Sequence, residues 1–404
     1  MQQSPPESPS LVEKRDAENI LGTYKRTSFH PRAGKGAKLV DAEGKVYWDL
    51  LAGIAVNALG HRHPRLVKAL REEANRLLHV SNLFYHPAQG LLAERLTHLS
   101  GMPRVFFCNS GTEAVEAAVK FTRLAVPGRS RMLALEGGFH GRTMGALALT
   151  GNEAYRKPFE PLVGETIFLP PNDIAALEAA VTQEVAAIFL EPILGEGGIV
   201  PLTKEYARAA RAAADRVGAL LVFDEIQSGL GRTGHLFVFQ EMGLTPDLVT
   251  LAKPLGGGLP LGAVLVSDRI APLVKPGHHG TTFGGNPIAC RLGLETLSEI
   301  VDGGLLERIR ETGEWFGKKL RNAKKRSKGA IVDVRGRGLM WGVELNRDAA
   351  EVQGALLKRG FVVGTSRAKV LRLLPPYVVP RPALSGFVKA LEEVLHEPPK
   401  EKAP

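Results

Sequence analysis

The chain has 404 residues, of which 44% are hydrophobic and 23% are charged, and its formal net charge is +10. This composition is typical of a globular protein with a large buried core, and the length has room for two domains. No stretch approaches the roughly 18 continuous apolar residues of a membrane-spanning helix, and the N-terminus does not resemble a secretory signal. The two cysteines, Cys108 and Cys290, are too few for a disulfide framework. We therefore expect a cytoplasmic protein without a metal site.

Seven of the 52 lysines and arginines lie in one basic run near residue 320. They lie between Lys318 and Lys328, directly after an amphipathic stretch over 305–316. The run contains no aromatic residues on which nucleic-acid bases would stack. It is typical of the solvated face of a surface helix that continues into a loop, so the sequence does not favour nucleic-acid binding.

Short apolar runs alternate with helical patterns through the middle of the chain. A helix is predicted over 113–124, and another over 204–217 that ends before Gly218. A run at 261–266 follows a glycine-rich turn and predicts an additional strand, which we expect to be antiparallel. Five other runs predict strands buried on both faces: 105–108, 132–135, 185–190, 219–223 and 248–251. This alternation predicts an α/β fold with a mainly parallel sheet.

The two flanks of this middle part have a different pattern. Residues 37–50 alternate around a turn and predict a hairpin, and residues 306–395 mix helices with short strands. We predict a large domain over 61–305, beside a smaller α+β domain formed by 11–60 and 306–395. Proline-rich polar residues at the two ends predict disordered tails over 1–10 and 396–404.

Polar or glycine-rich residues follow each of the five buried runs at once. They occupy residues 109–112, 136–142, 191–198, 224–227 and 252–258. Ligands of open parallel sheets bind beyond the carboxyl ends of the strands. The sequence therefore predicts one site that is built from five segments.

Three of these segments carry groups that suit a single cofactor. Residues 109–112 precede the helix that is predicted to open with Glu113, so backbone N–H groups there are free to bind a phosphate, although a Ser or Thr before a helix is also an ordinary N-cap. Asp224 ends a buried strand and needs a cationic partner, either a protonated ring nitrogen or a structural arginine. Lys253 leaves a buried strand, and desolvation would make its amine nucleophilic toward an aldehyde unless it simply reaches solvent.

A phosphate, a ring nitrogen and an aldehyde are the three handles of pyridoxal 5'-phosphate (PLP), which Lys253 would hold as a Schiff base. Two apolar side chains, Phe139 and Ile226, are candidates to cover the two faces of the ring. Gln227 would then lie close to the ring oxygen. Each of the three is also compatible with a place in the core or at the rim of the site.

With these motifs the chain resembles the class III (ω-amino acid) aminotransferases from about residue 20 to residue 395. The motifs lie in the family's order, at 109–114, 139–142, 224–227, Lys253 and 280–287. The resemblance implies a fold-type I PLP enzyme, normally a homodimer with active sites at the subunit interface. The segments 52–61, 81–85 and 280–285 are typical of the branch that acts on acetylornithine. This branch transfers the δ-amino group of N2-acetyl-L-ornithine to 2-oxoglutarate in arginine biosynthesis.

The resemblance also implies roles for individual residues. Lys253 and Asp224 are the expected catalytic residues. Cofactor contacts are expected from Gly111, Thr112, Phe139, Asp224, Glu225, Ile226, Gln227, Lys253 and, in the neighbouring subunit, Thr282. Substrate contacts are expected from Arg142, Thr281, Glu196 and Arg372. In the last pair, Glu196 would mask Arg372 while the amino donor is bound and release it for the α-carboxylate of glutamate.

Other activities share these motifs and stay open at this point. They are a lysine-biosynthesis aminotransferase that acts on a carrier-linked substrate, ornithine aminotransferase and 4-aminobutyrate aminotransferase. A PLP aminomutase, which needs no external oxo acid, is an alternative from another enzyme class. A basic binding protein that retains the fold is the non-enzymatic alternative.

Overall fold

The computed structural model describes residues 8–397, and these form four sheets. The strands are β1 (Pro31–Lys35), β2 (Lys38–Asp41), β3 (Val46–Asp49), β4 (Arg104–Cys108), β5 (Arg131–Leu135), β6 (Glu165–Leu169), β7 (Val185–Leu190), β8 (Ile193–Leu194), β9 (Val200–Pro201), β10 (Leu220–Asp224), β11 (Leu248–Leu251), β12 (Gly262–Val266), β13 (Ile331–Arg337), β14 (Met340–Leu345), β15 (Phe361–Val362), β16 (Gly364–Ser366) and β17 (Val370–Leu373).

The predicted buried runs form a seven-stranded sheet with the order β4-β12-β11-β10-β7-β5-β6. Neighbouring strands from β11 to β6 pair in parallel. As predicted, β12 is antiparallel to both of its neighbours. The edge strand β6 was not predicted, because most of its residues are only partly buried and its apolar run is short. Burial on both faces of β7, β10 and β11 explains why their sequences are continuously apolar.

Helices connect and cover these strands. The predicted helix that ends before Gly218 is confirmed, and this glycine caps it with a left-handed φ of 67°. None of the helices within residues 8–397 is long and apolar enough to cross a membrane. The helices are Pro9–Asn19, Ala52–Ala55, Pro64–Ala74, Pro87–Ser100, Gly111–Ala125, Met144–Ala148, Glu153–Arg156, Ile174–Ala180, Lys204–Val217, Val238–Glu241, Pro287–Val301, Leu305–Arg326, Ala349–Lys358 and Arg381–His396, with 3-10 turns at Lys157–Phe159, Lys253–Gly256 and Ala271–Leu273.

The two flanks of the chain meet in a smaller sheet. The predicted hairpin is confirmed as the antiparallel pair β2–β3, and β15 from the C-terminal flank adds to β3 in parallel. A second sheet, β13-β14-β17-β16, comes from the C-terminal flank alone. The division into domains after residues 60 and 305 remains a prediction.

The predicted tails only partly coincide with the described residues. Residues 1–7 and 398–404 lie outside the described part of the chain. Disorder over 1–10 is wrong for Pro9 and Ser10, because they open a helix whose N-cap is Ser8. Similarly, His396 is the last residue of a helix rather than the first of a tail.

The basic run ends the long helix Leu305–Arg326. Cations at the C-terminal end of a helix are favoured by its dipole. Two of them also pair with carboxylates, Lys324 with Asp333 at 3.4 Å and Arg326 with Glu392 at 2.5 Å. The basic run therefore occupies the C-terminal end of this helix and the turn that follows Arg326.

Candidate active site

A cavity of about 430 Å³ opens where β4, β5, β7, β10 and β11 end. Each of the five predicted segments contributes to its walls, so the segments converge as their positions after buried strands predicted. Side chains or backbone from each segment reach the cavity, among them Gly111, Phe139, Glu191, Asp224, Gln227 and Lys253.

The turn after β4 leads into the helix Gly111–Ala125. Ser110 caps this helix by accepting a hydrogen bond from the N–H of Glu113 at 3.3 Å, and the Glu113 carboxylate in turn accepts the N–H of Asn109 at 2.6 Å. The N–H groups of Gly111 and Thr112 lie in the first turn, where no intrahelical acceptor exists. A Cβ at Gly111 would lie 2.8 Å from Cδ1 of Ile226, so a larger residue there would require Ile226 to shift. This end of the cavity can therefore bind an anion through free backbone N–H groups.

The Thr112 hydroxyl joins this turn to the segment after β5. Its oxygen accepts the N–H groups of Arg142 and Thr143, both at 3.2 Å, and lies 2.7 Å from the Thr143 hydroxyl. Because this oxygen holds the backbone of the segment after β5, the position of Arg142 depends on the turn at Gly111 and Thr112.

Asp224, at the end of β10, is buried and held by two partners. His140 Nδ1 donates to its Oδ2 at 2.7 Å, and the N–H of Ile226 donates to its Oδ1 at 3.1 Å. Burial alone would lower the pKa of His140, but the hydrogen bond and the charge of Asp224 outweigh it and raise that pKa. The pair can therefore place a fixed negative charge on the cavity wall.

Lys253 follows β11 and is half-buried on the same wall. Burial lowers the pKa of its ammonium group, although the negative charges of Asp224 and Glu191 oppose this effect. Its φ of 43° is unusual for a residue with a side chain, and strain of this kind is concentrated at functional sites. The surroundings favour a neutral, nucleophilic amine.

Glu191, directly after β7, is a second buried carboxylate in the cavity. Its two oxygens accept the N–H of Phe139 at 2.7 Å and the N–H of Gly195 at 3.1 Å. Burial raises its pKa to about 7, against the lowering effect of the His140 charge. Glu191 thus links the segment of the aromatic Phe139 to the loop that carries Glu196.

The remaining predicted cofactor residues divide into two groups. Phe139, Ile226 and Gln227 line the cavity, and the buried Oε1 of Gln227 has no hydrogen-bond partner among the described residues. In contrast, Glu225 does not line the cavity. Its carboxylate accepts the N–H groups of Val238 and Phe239 at 2.8 and 2.7 Å, so it caps the helix Val238–Glu241. The cofactor contact expected of Glu225 stays a prediction, and its carboxylate is occupied by the backbone of this helix.

Arg142 lines the cavity, and its guanidinium stacks on Tyr155, 3.6 Å from the ring centre. The stacking leaves the hydrogen-bonding edge of the guanidinium available for a planar anion. The geometry is compatible with the predicted contact to a substrate carboxylate.

Glu196 and Arg372 form an ion pair, in which Arg372 Nη1 donates to Glu196 Oε1. Arg372 is buried, whereas the Glu196 side chain is 31% exposed. Neither residue lines the cavity itself, but both charges influence the pKa of Lys253. The buried Nε of Arg372 has no partner among the described residues, so the guanidinium keeps an unused donor.

Two threonines lie outside the cavity of their own chain. Thr281 Oγ1 accepts a hydrogen bond from the side-chain amide of Asn109 at 2.9 Å. Thr282 is exposed and lies beside the segment 79–89. Their predicted contacts, to the substrate and to the cofactor of a neighbouring subunit, stay predictions.

Two residues of the site, His140 and Glu191, were not assigned a role from the sequence. Both occupy segments that the sequence marked as strand ends, so a charged or titratable residue directly after a buried run was the available signal. Their partners lie on other strands, and the sequence does not indicate which strand ends are neighbours.

No cluster of three or more His, Cys, Asp or Glu side chains suited to a metal ion occurs within residues 8–397. Two histidines that lie close together in the sequence, His61 and His63, each have a carboxylate neighbour. His61 lies 2.7 Å from Asp49, and His63 lies 3.8 Å from Glu299.

Known proteins resemble this chain over almost its whole length. The sequence profile of the family described as aminotransferase class-III matches residues 23–395. An acetylornithine aminotransferase of Streptomyces coelicolor is 49% identical over 387 residues, which cover 94% of this chain and 95% of the relative. One of Methanocaldococcus jannaschii is 44% identical over 372 residues, covering 90% and 92%.

Solved structures share the fold. The ornithine aminotransferase of Toxoplasma gondii superimposes with a TM-score of 0.92 at 30% identity, covering 96% of this chain and 95% of that one. The acetylornithine aminotransferase of Elizabethkingia anophelis gives 0.87 at 30% identity, covering 96% and 99%. These neighbours confirm the predicted fold-type I α/β architecture. With a family match that spans the sheet, the cavity and both flanks, the protein belongs to the class III aminotransferases, a family of PLP-dependent enzymes.

Proposed function

We propose that this enzyme transfers the δ-amino group of N2-acetyl-L-ornithine to 2-oxoglutarate, giving acetylglutamate semialdehyde and glutamate. The relatives named acetylornithine aminotransferase support this choice of donor within the family. The observation that carries the reaction type is the presence of Lys253 and Asp224 on the walls of one cavity that also contains the Gly111 turn.

The residues of the cavity fit PLP. Gly111 and Thr112 would bind the phosphate, since the helix N-terminus offers free N–H groups and a positive dipole end. Asp224 would bind the ring nitrogen, and the side-chain amide of Gln227, whose buried Oε1 has no hydrogen-bond partner among the described residues, would lie close to the ring oxygen. Lys253 would hold the aldehyde carbon covalently. Phe139 and Ile226 would cover the ring faces, and Thr282 of a second subunit would reach the phosphate.

When bound, PLP supplies an aldehyde that accepts the amino group and a ring that withdraws the negative charge developing on the substrate carbon. The protein supplies the base. Because burial lowers the pKa of Lys253, its amine loses a proton more readily than that of an exposed lysine, and its Nζ would remove the proton from the carbon that bears the substrate amine. Asp224, whose carboxylate is held by His140, would face the ring nitrogen and favour its protonated form.

Two arginines would sort the substrates. Arg142 would bind the α-carboxylate of acetylornithine and the distal carboxylate of 2-oxoglutarate, using the edge left free by its stacking on Tyr155. Glu196 neutralises Arg372 while the donor, which has no second carboxylate, is bound. A dicarboxylate would displace Glu196 and pair with Arg372, whose Nε is unused in the ion pair.

The protein would act as a homodimer. Large apolar side chains are exposed in a single chain along one segment, including Leu83 (87%), Phe84 (63%) and Tyr85 (106%). This segment lies close to the loop that carries Thr282. In the same region the ring centres of His79 and Phe283 are 5.2 Å apart. Exposed apolar patches of this kind mark interfaces. Light scattering at assay concentrations is expected to give twice the chain mass of 43.5 kDa; a monomer with full activity contradicts the shared site.

A reducing cytoplasm suits the chain. Cys108 and Cys290 are both buried and unpaired, and burial raises the pKa of each thiol to about 12. Thiols of this kind behave as small apolar side chains and are inert toward oxidation.

The donor is tested by comparing kcat/KM for acetylornithine, ornithine, 4-aminobutyrate and lysine, each with 2-oxoglutarate. We expect acetylornithine to exceed the others by about tenfold or more, since a site built for a substrate polar group rejects analogues that lack it. A preference for ornithine, 4-aminobutyrate or lysine contradicts the proposed donor. Turnover without any oxo acid would instead indicate an aminomutase.

A further inference from the structure

The loop that carries Glu196 is short and closed. It is the turn of a small ribbon, in which Leu194 of β8 pairs with Val200 of β9. Three of its residues are glycines with little free space. A side chain at Gly195 would lie 2.5 Å from Gln227, and one at Gly197 would lie 2.8 Å from the carbonyl of Gly137. The backbone of the turn therefore fits closely between its neighbours.

One buried hydroxyl, that of Ser366, binds this turn at three points. Ser366 Oγ accepts the N–H of Gly198 at 2.9 Å and lies within donating distance of the carbonyls of Gly195 and Glu196, at 2.9 and 2.8 Å. A hydroxyl has one proton, so the two carbonyls share it. Among residues 8–397, no other side chain forms a hydrogen bond with the main chain of Glu196.

Ser366 and Arg372 lie on paired strands. In the antiparallel pair β16–β17, Ser366 is opposite Val370 and Gly364 is opposite Arg372. The same two-stranded unit thus holds Glu196 in two ways, at its backbone through Ser366 and at its carboxylate through Arg372. The ends of the turn have further partners, since Glu191 accepts the N–H of Gly195 and Arg335 Nε donates to the carbonyl of Gly198 at 2.8 Å.

We propose that Ser366 is a positioning residue for the recognition of two differently charged substrates. It holds the main chain of the turn in place, so that only the side chain of Glu196 moves when a dicarboxylate binds Arg372. This inference rests on the proposed masking of Arg372 by Glu196. A fixed backbone keeps the Glu196–Arg372 pair strong, because the pair then does not have to order the loop as well.

The test is the variant Ser366→Ala, studied as the PLP-loaded enzyme. Without the hydroxyl the turn loosens, the ion pair weakens and Arg372 becomes easier to reach. We expect glutarate, a dicarboxylate that cannot react, to bind about three- to tenfold more tightly by calorimetry, a change that corresponds to the loss of one or two hydrogen bonds. The ratio of KM for acetylornithine to KM for 2-oxoglutarate should rise by a similar factor. Unchanged glutarate affinity and an unchanged ratio overturn the proposal.

A matched serine separates positioning from general stabilisation. Ser327 Oγ also joins backbone groups, donating to the carbonyl of Lys324 at 2.8 Å and accepting the N–H of Ile331 at 3.0 Å, at the far end of the helix Leu305–Arg326. Ser327→Ala should lower the melting temperature as Ser366→Ala does, but leave the KM ratio within about twofold. An equal shift of the ratio in both variants would mean that Ser366 acts only through stability.

The variant Glu196→Gln distinguishes the masking of Arg372 from the positioning role of Ser366. It removes the charge that masks Arg372 and should itself tighten glutarate binding. If it does not, the masking fails whatever Ser366 does. If Glu196→Gln tightens binding and Ser366→Ala does not, the masking stands and the role of Ser366 fails.

Hydrogen exchange on the unmodified enzyme covers the case in which Ser366→Ala does not fold. The amide of Gly198, which donates to Ser366, should stay protected when glutarate binds, because the turn does not open. Faster exchange at Gly198 in the presence of glutarate would show that the whole turn moves, and the proposal would be wrong.

Discussion

The region around Gly111, Asp224 and Lys253 differs from the Glu196–Arg372 pair in how its groups are held. In the first region the carboxylate of Asp224 has two fixed partners, His140 and the N–H of Ile226, and Gly111 packs closely against Ile226. In the second, Arg372 keeps an unused Nε and its partner Glu196 is partly exposed. A group whose hydrogen bonds are all satisfied holds its place, whereas one with spare donors exchanges partners at little cost. The first region is suited to one permanent ligand and the second to two alternating ones.

The largest effect is expected when the nucleophile Lys253 is removed from the first region. Lys253→Ala should lower kcat about 1,000-fold or more, because it removes both the covalent link to the cofactor and the base. Single-turnover absorbance measurements with added PLP check this. Normal turnover of Lys253→Ala would contradict the assignment of the whole cavity.

Replacing the fixed carboxylate is the next largest change. Asp224→Asn keeps the shape of the side chain but removes its charge. We expect kcat to fall about 100- to 1,000-fold, because a preorganised charge in a water-poor site strongly stabilises the transition state. Equilibrium dialysis should also show weaker PLP binding. If the variant retains full activity, the negative charge on that wall is not used.

Changing the two arginines separately tests whether Arg372 serves only the dicarboxylate, whereas Arg142 serves both substrates. Arg372→Lys should raise KM for 2-oxoglutarate about 10- to 100-fold and leave KM for acetylornithine nearly unchanged, because lysine cannot form the two-pronged contact. Arg142→Lys should raise both KM values. Parallel effects of the two variants on both substrates would mean that the arginines are not divided in this way.

Glu225, whose carboxylate caps the helix Val238–Glu241, provides a prediction about stability. Glu225→Ala leaves the buried N–H groups of Val238 and Phe239 without an acceptor. The free energy of unfolding should fall by about 1–3 kcal/mol, measured by urea titration of the apoenzyme. A loss of PLP affinity without any loss of stability would contradict the capping role and support the cofactor contact that the resemblance implies.

The smallest effect concerns the pH dependence of Lys253 in the apoenzyme. Its pKa lies below the usual 10.5, with burial as the cause, so the neutral amine is present at lower pH than for an ordinary lysine. Reductive methylation by formaldehyde, followed by mass spectrometry, should reach half of its maximal rate at Lys253 at a pH below 10.5. The exposed Lys389 is the control. Near neutral pH, labelling of Lys253 no faster than that of Lys389 would contradict the shift.

Much of the fixed region could be predicted, because its groups are local to strand ends. A run such as 248–251 is apolar because both of its faces are covered, and a lysine placed directly after it is unusual enough to indicate chemistry. The turn at Gly111 follows the same logic. The motif at 224–227 was predicted as a unit, yet Glu225 caps a helix, since side-chain direction within a turn depends on what packs against each side.

Pairs of side chains from distant segments could not be predicted from residue types. The sequence marked 136–142 and 224–227 as strand ends, but His140 meets Asp224 only because their segments adjoin the same cavity. Glu191 was overlooked for the same reason. Its hydrogen bonds to Phe139 and Gly195 depend on the loop geometry after β7.

The sequence by itself determined the α/β alternation, the segments that follow the buried strands and the chemical groups that these segments carry. Burial and turn formation are local properties, and they leave a readable pattern of apolar runs, glycines and charges. Only the tertiary structure decided which groups meet, as for Glu196 and Arg372, which are 176 residues apart in the chain. Such contacts depend on strand order and on packing, and neither is encoded in the spacing of residues along the chain.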